Sequence, residues 1–511
     1  MERTLVIAPG PTANGDLHLG HLAGPFLAAD VCTRYARAAG RDVLFGTGVH
    51  FTQSYIVTTA RRLGVEPEDL RIRSAGQVEE TLTAVGIRPD GFVRFGDRYV
   101  KAVRTFFERL HSSGKLRLKG VQFPYAPRTG AYLTDAYVRG GCPVCLADGC
   151  AGLCENCGHW IASGDLIDPR STLHPDEPVE LREKQVLVLP LEDHRDALVA
   201  YFARQSATMR PRLAQMIEEI LARPLPDYPI TLPIAWGIPA PFPEVAGQVI
   251  YADAETIAWS MHCTALAAEH HGEVMSSEDE LWFSETGNKV VYFFGSDAGF
   301  AFAVVGAAML EALGGYTLPE HFVTNEFYEL DHDKFSTSRG HVVSGRELAA
   351  EVPRDLIRFY LAVTSPDYQR TNFTREAMAR VTDERLVQPW NRVVDKVGSW
   401  VGRGPLPVSE RSRSAGARLV ERFAAAYDVR RFNLTAAAFT LSEQLARLDR
   451  WEVRAADAGD FCHEVDLFLR CAAPLLIDLA DTALPDRTIP AEPHATQFTP
   501  VRLPRLAGTG R

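Results

Sequence analysis

The sequence predicts an α/β protein: a doubly wound parallel sheet, interrupted by a cysteine-bearing insertion and followed by an all-α helical bundle. Three observations carry this reading: a strand, loop, helix, strand opening over residues 4–45, five of the nine cysteines crowded into 142–157, and apolar stripes at helical spacing after about residue 381. A chain of 511 residues has room for about three domains, each long enough to bury a core.

Residues 4–8, Thr-Leu-Val-Ile-Ala, form an apolar strand that runs into Pro9-Gly10-Pro11, where helix cannot continue. A helix is expected from about Leu19, with Leu22, Phe26, Leu27, Val31 and Tyr35 at its spacing, and Val43-Leu44-Phe45 is the next strand. This order opens a Rossmann-type sheet, in which nucleotides bind beyond the carboxyl ends of the strands. Further strands are expected at 92–95, 248–251, 290–294 and 321–324, split into two groups. The expected divisions are 1–115, the first half of a catalytic domain; 116–235, a connective insertion with zinc knuckles; 236–380, the second half; and 381–511, a helical bundle. In the bundle, Leu434, Ala438, Leu441, Leu445 and Leu448 make one stripe, and Val465, Phe468, Leu469, Ala472, Leu476 and Leu479 another. The stretch from Gly402 to Gly416 and the Pro-rich tail after Leu484 read as loop and poorly ordered end.

With 54 Lys+Arg against 65 Asp+Glu the net charge is -11, which excludes a protein that holds nucleic acid by a general positive field. The opening residues lack the basic-then-apolar run of a secretory signal, and no stretch reaches ~18 uninterrupted apolar residues, so a cytoplasmic protein with no membrane partner is expected.

Three segments carry chemistry. Pro11 to His21 reads Pro-Thr-Ala-Asn-Gly-Asp-Leu-His-Leu-Gly-His, placed where the first strand hands over to a helix. Backbone N–H groups at a helix start favour a phosphate, Gly20 admits a nucleotide close to the backbone, and His18 and His21 share a face from which they can donate to phosphoryl oxygens. Read blandly, this is a helix start with two surface histidines. Residues 333–340, Asp-Lys-Phe-Ser-Thr-Ser-Arg-Gly, form a loop in which Lys334 can neutralise a triphosphate and Ser336 and Ser338 can hydrogen-bond it; alone it would be a solvated loop. Cys142-Pro-Val-Cys145 and Cys154-Glu-Asn-Cys157 are two Cys-x-x-Cys knuckles with eight residues between them, the spacing of a closed, structural Zn2+ site; Cys150 is the spare thiol.

The pairing of His-Leu-Gly-His at 18–21 with Lys-Phe-Ser-Thr-Ser at 334–338 resembles the two nucleotide-binding motifs of class I aminoacyl-tRNA synthetases. The wider pattern resembles the methionyl-tRNA synthetase family over most of the chain: Ala13-Asn14-Gly15, the zinc knuckles, Trp236-Gly237-Ile238-Pro239, Asp253-Ala254 and Gly295-Ser296-Asp297. The resemblance implies that an amino acid is joined to ATP, with Mg2+, as an aminoacyl-adenylate and then passed to tRNA. It implies that His18, His21 and Lys334 hold the phosphates, that Asn14 lies beside them, and that Asp297 faces the ribose.

Departures from the family fall on amino-acid and tRNA contacts. Thr12 stands where the family has a Tyr, His50 where it has the carboxylate that pairs with the substrate ammonium, Tyr251, Glu255 and Ala258 where it has Trp, Pro and Tyr, and Phe302 where it has a His. An imidazole cannot replace a carboxylate in an ion pair, so the expected substrate is an amino acid other than methionine. Glu255 is read either as a new anchor for an amine or hydroxylamine or as a solvent-facing strand end. Thr337 replaces the second Lys of the family loop and removes a charge from the phosphate clamp. Pro229-Ile230-Thr231-Leu232 lacks the Asp and Arg of the family's Trp-Asp-Ile-Ser-Arg, and Asn391, which matches an anticodon-reading Asn, is followed by Asp395 in place of an Arg.

The expected function is therefore ATP-dependent activation of an amino acid, independent of tRNA and serving small-molecule biosynthesis. Some paralogues of the resembled family that form N–N bonds join such a domain to a zinc cupin. This chain shows no cupin-like His cluster, so that role calls for a separate cupin partner and an amine or hydroxylamine acceptor. Two alternatives stand beside it: a methionine-tRNA ligase with a redesigned, antibiotic-resistant pocket, and a catalytically silent binding module.

Overall fold

The computed structural model describes residues 2–335, 341–490 and 493–509. The chain packs into two compact units, one of Met1–Asp16, Leu44–Glu79 and Pro89–Thr324, the other of Leu17–Val43, Glu80–Arg88 and Asn325–Arg511.

The first unit is built on a five-stranded sheet of β1 (Thr4–Ile7), β2 (Val43–Gly48), β3 (Gly91–Val93), β4 (Lys289–Gly295) and β5 (His321–Asn325), in the order β5-β4-β1-β2-β3. β1 runs parallel to β4, with Val6 opposite Val291, and β2 runs parallel to β3. The strands are apolar and almost wholly buried, as a sheet covered on both faces requires. The chain winds outward from β1 through β2 and β3, then returns on the other side through β4 and β5. The order therefore reverses between β1 and β4, and the segments leaving their carboxyl ends flank the switch point where α/β sheets bind ligands.

Glycines set the close approaches. A Cβ at Gly10 would stand 1.8 Å from Gly48 O, so the turn after β1 can lie against the end of β2 only without a side chain. The helix Thr256–His270, buried along nearly its full length, reaches β2 and β3 the same way: a Cβ at Gly46 would meet Cys263 Sγ at 2.5 Å and one at Gly91 would meet Cys263 O at 2.3 Å. Ser296–Leu313 is the one stretch among the described residues with the length and apolarity to cross a membrane, and 78% of it is buried inside the protein, the mark of a core helix.

The expected strand at 248–251 does not join the parallel sheet. Val249–Ile250 pairs antiparallel with Thr231–Leu232, and Ile250 N donates to Ile238 O at 2.8 Å, so near neighbours in sequence take its hydrogen bonds. The insertion is an antiparallel sheet in which Glu180–Pro190 lies between Arg117–Ala126 and Asp227–Pro229. Short ribbons, Val138–Gly141 with Asp148–Cys150 and Gly152–Leu153 with Trp160–Ile161, carry the cysteines.

In the second unit the helix expected from Leu19 is present but broken. Leu22–Phe26 forms a π turn where Gly24 leaves helical dihedrals (φ -82, ψ -115) and Pro25 removes a donor, before a regular helix over Leu27–Ala38. The bundle helices Gln388–Gly398, Glu410–Tyr427, Leu434–Arg450 and Ala458–Ala472 bury the first predicted stripe and most of the second, whose Leu476 and Leu479 fall at the separate helix Ile477–Ala483. Ser409 and Asn433 cap two of them, accepting from Ser412 N and Ala436 N. Arg358, 1% exposed, ties the unit together: it pairs with Asp30 at 2.6 Å and donates to the carbonyls of Leu475, Pro474 and Val85.

The segment 402–416 and the tail after Leu484 are more ordered than their composition suggests. Leu406–Pro407 pairs with Gln497–Phe498, and a helix already begins at Glu410. Beyond it, Trp390 Nε1 donates to Pro504 O at 2.9 Å, while Asn391 exchanges two hydrogen bonds with Leu506, each 3.0 Å. Proline removes donors, but the backbone groups of Pro504 and Leu506 find partners on the helix Gln388–Gly398.

Candidate active site

In the second unit His18 and His21 fix one another. His18 caps the short helix Leu19–His21: Gly20 N donates to His18 Nδ1 at 3.1 Å and His18 N donates to His21 Nδ1 at 3.4 Å. The rings stack at 3.9 Å, and Phe335 stacks on His18 at 4.7 Å. Burial pushes the His21 pKa down to about 4, so this imidazole is neutral at physiological pH. Because Nδ1 of each ring accepts a backbone N–H, the ring N–H of each lies on Nε2. Gly20 is required here, since a Cβ would sit 2.9 Å from His18 Cε1. The backbone of Val343 to Gly345 holds the segment, through Leu19 N to Val343 O and Gly345 N to Leu17 O. Lys334 lies on the strand Asp333–Lys334, paired with Glu329, and is described by its backbone alone. Ser336, Thr337 and Ser338 lie outside the described residues.

In the first unit the sheet brings the expected amino-acid pocket together at strand ends. His50 N donates to Pro11 O at 2.8 Å and Ala13 N to His50 O at 2.9 Å, which sets Thr12 beside His50. His50 stacks on Trp259 at 5.1 Å, and Phe302 is 6.2 Å away. Burial lowers its pKa to about 4, and its Nδ1 makes no hydrogen bond among the described residues. Ala258, beside Trp259 on the buried helix, is itself 2% exposed. Asn14 Nδ2 reaches Thr59 Oγ1 at 3.5 Å. Asp297, in the turn after β4, folds back so that a Cβ at Gly295 would lie 2.5 Å from its Oδ1.

Glu255 does not face solvent at a strand end. It is 0% exposed at the start of the helix Thr256–His270, accepting from Thr52 Oγ1 at 2.7 Å and Tyr99 OH at 2.6 Å. Burial raises its pKa to about 8, so the carboxyl is largely protonated at neutral pH.

Sequence reasoning missed the polar cluster beneath Thr12. The Thr12 hydroxyl donates to Gln53 Oε1; Gln53 Nε2 donates to Asp253 Oδ1 at 2.9 Å; and the Tyr251 hydroxyl lies 3.2 Å from Asp253 Oδ2 and 3.0 Å from Asp135 Oδ1. These residues come from four separate segments, so no local spacing could have announced them.

The four cysteines Cys142, Cys145, Cys154 and Cys157 converge, all Sγ atoms lying within 4.8 Å of one another, with Cys142–Cys157 at 3.9 Å and Cys145–Cys154 at 3.7 Å. Zn–S bonds of ~2.3 Å in a tetrahedron place sulfurs ~3.8 Å apart, close to these two distances, so the set is compatible with Zn2+. Four thiolates would close the coordination sphere of such an ion and leave no position for a substrate, so it would serve folding. Gly158, in the left-handed region at φ 79, lets the knuckle lie close to the Asp297 turn: a Cβ there would be 3.3 Å from Ser296 O.

A sheet whose switch point gathers these turns, with a paired-histidine helix start and a four-cysteine insertion, defines a class I synthetase-like nucleotide fold. Residues 4–397 match the family model of class I tRNA synthetases (M), and the chain belongs to that family. Among curated relatives, the methionine–tRNA ligase of Bacteroides fragilis is 29% identical over 399 residues, covering 77% of this chain and 58% of the relative. That of Porphyromonas gingivalis is 30% identical over 432 residues, covering 83% of this chain and 62% of the relative. The chain thus spans less than two thirds of the length of these relatives. The structure of Mycobacterium tuberculosis methionyl-tRNA synthetase in complex with methionyl-adenylate superposes over 100% of this chain and 99% of that one, with a TM-score of 0.73 at 18% identity, and so shares the fold.

Proposed function

We propose that this chain activates an amino acid other than methionine as its adenylate and passes the acyl group to a small-molecule amine or hydroxylamine instead of tRNA. The observation that carries the reading is His50: a buried, neutral imidazole stacked on Trp259, in the place where the resembled family carries a carboxylate. A neutral ring cannot hold the methionine ammonium as an ion pair.

In the reaction, the carboxylate of the amino acid attacks the α-phosphorus of ATP, an acyl–phosphate bond forms, and the bond to pyrophosphate breaks. The Nε2–H donors of His18 and His21 would stabilise negative charge on the phosphoryl oxygens as it develops, and Lys334 would add a positive charge. Mg2+ arrives as the counter-ion of the triphosphate. Asn14 and Gly20 would sit beside the phosphates, Ser336 and Ser338 would hydrogen-bond them, and the Asp297 carboxylate would accept from the ribose hydroxyls. Residues 1–115 and 236–380 would form the catalytic part and 116–235 the zinc-braced insertion. In the bundle 381–511, the Asn391 carboxamide is occupied by Leu506, and Asp395 pairs with Arg505 at 2.5 Å, which supports lost anticodon reading. The cupin partner expected from the sequence rests on the resemblance alone.

The test is ATP–pyrophosphate exchange over a panel of amino acids, run beside tRNA charging. Exchange with a non-methionine amino acid and no charging supports the proposal. The second reading, a methionine–tRNA ligase, is favoured by the names of the 29–30% identical relatives, and predicts exchange with methionine and charging of tRNA.

A further inference from the structure

Asp135 lies within the insertion and Asp253 beyond its carboxyl end, and Tyr251 joins them, its one hydroxyl within 3.2 Å of an oxygen of each. A phenol has one proton and can satisfy only one carboxylate. Gln53 supplies Asp253 with a further donor, but no basic side chain acts on either carboxylate among the described residues. Burial first, and for Asp135 the neighbouring charge of Asp253 next, hold both groups above the usual carboxylate range. Beside the pair is the Tyr228 hydroxyl, which is 0% exposed, has no hydrogen-bond partner among the described residues and lies close enough to feel both carboxylates. Its ring packs 5.3 Å from Trp160 and 5.6 Å from Tyr251. Asp135, Asp253, Gln53 and Trp160 are each half-buried as whole residues.

Two carboxylates short of a counter-charge, an idle phenol oxygen and aromatic faces are together the chemistry that holds an ammonium ion. We propose that this cluster, linked to Thr12 through Gln53, is a subsite for a positively charged side chain, and that the amino acid taken is a diamino acid whose distal ammonium lies between Asp135 and Asp253. The inference rests on the adenylation reading and deepens it. The α-ammonium is the poorer occupant, because it would carry its own α-carboxylate to within a few ångströms of two others, and that carboxylate must instead reach phosphorus.

Isothermal titration without ATP tests the subsite directly, using L-lysine and L-ornithine against L-norleucine and L-methionine. A diamino acid is expected to bind at least about tenfold tighter than norleucine, which is the same chain without the charge. Asp253→Asn is expected to weaken the diamino acid by roughly 30-fold and leave norleucine unchanged. Tyr228→Phe, which changes shape little, is expected to cost about threefold to tenfold and keeps the test alive should the Asp253 variant fail to fold. Norleucine or methionine binding as tightly, no binding of either diamino acid, or undiminished binding in folded variants would overturn it. Exchange measured alongside separates the two proposals: binding of a diamino acid without exchange removes the activation reading and keeps the subsite, whereas exchange with neutral amino acids alone keeps activation and removes the subsite.

Discussion

His18 and His21 owe their arrangement to a few residues of contiguous backbone, whereas Thr12, His50, Tyr251 and Asp253 owe theirs to strand ends and turns far apart in the chain. In the first region each ring accepts the backbone N–H that positions the other, so changing one letter disturbs both. In the second, the sheet supplies the geometry, and side chains can be exchanged one at a time without moving it. Under the proposed function, the contrast would explain how a chain keeps the phosphate-facing letters of its family while its acyl pocket changes.

The largest effect expected is from metal removal, which attacks the frame of the pocket side. Stripping Zn2+ with a chelator, or Cys142→Ser, is expected to lower the melting temperature by more than about 10 °C, because a structural zinc contributes on the order of 10 kcal/mol to its own subdomain. Calorimetry with and without chelator reads this, and an unchanged transition would contradict a zinc-braced insertion.

The second unit has its own keystone. Arg358→Ala leaves Asp30 buried without its partner and opens three carbonyls, and is expected to cost about 3–5 kcal/mol in denaturant unfolding. The phosphate segment is expected to separate chemistry from stability: His18→Ala or His21→Ala should reduce exchange by about 10²–10³-fold while amino-acid binding measured without ATP stays as it was. A matching loss of both would mean that the two regions are not independent.

Glu255→Gln gives the smallest change, and one confined to a pH window. Its folded pKa of about 8 lies above the ordinary glutamate value of 4.5, so between these the native state binds more protons than the unfolded one, and stability falls as pH rises through the window. Below the window both states are protonated and the variant is expected to be nearly silent. Melting curves from pH 4 to pH 9 should show a flatter profile for the variant than for the wild type.

The same contrast decides what the sequence could reveal. The histidine pair and the cysteine knuckles are local spacings, and the bundle stripes repeat at helical spacing, the second running on past Ala458–Ala472 into Ile477–Ala483, so each was legible. The Asp135, Asp253, Tyr251 and Gln53 cluster depends on tertiary approach and was not. Glu255 was ambiguous because nothing near it in sequence announces Thr52 and Tyr99 as partners. The tail reads as disordered from its prolines, yet Leu506 and Asn391 satisfy one another across 115 residues. Val249–Ile250 has strand composition, but composition does not say which sheet a strand joins.

The most direct measurement is ATP–pyrophosphate exchange with the full set of amino acids, diamino acids included, on the zinc-loaded protein. The account predicts exchange with an amino acid other than methionine, lost in His18→Ala. Exchange with methionine alone, accompanied by charging of tRNA, would contradict it.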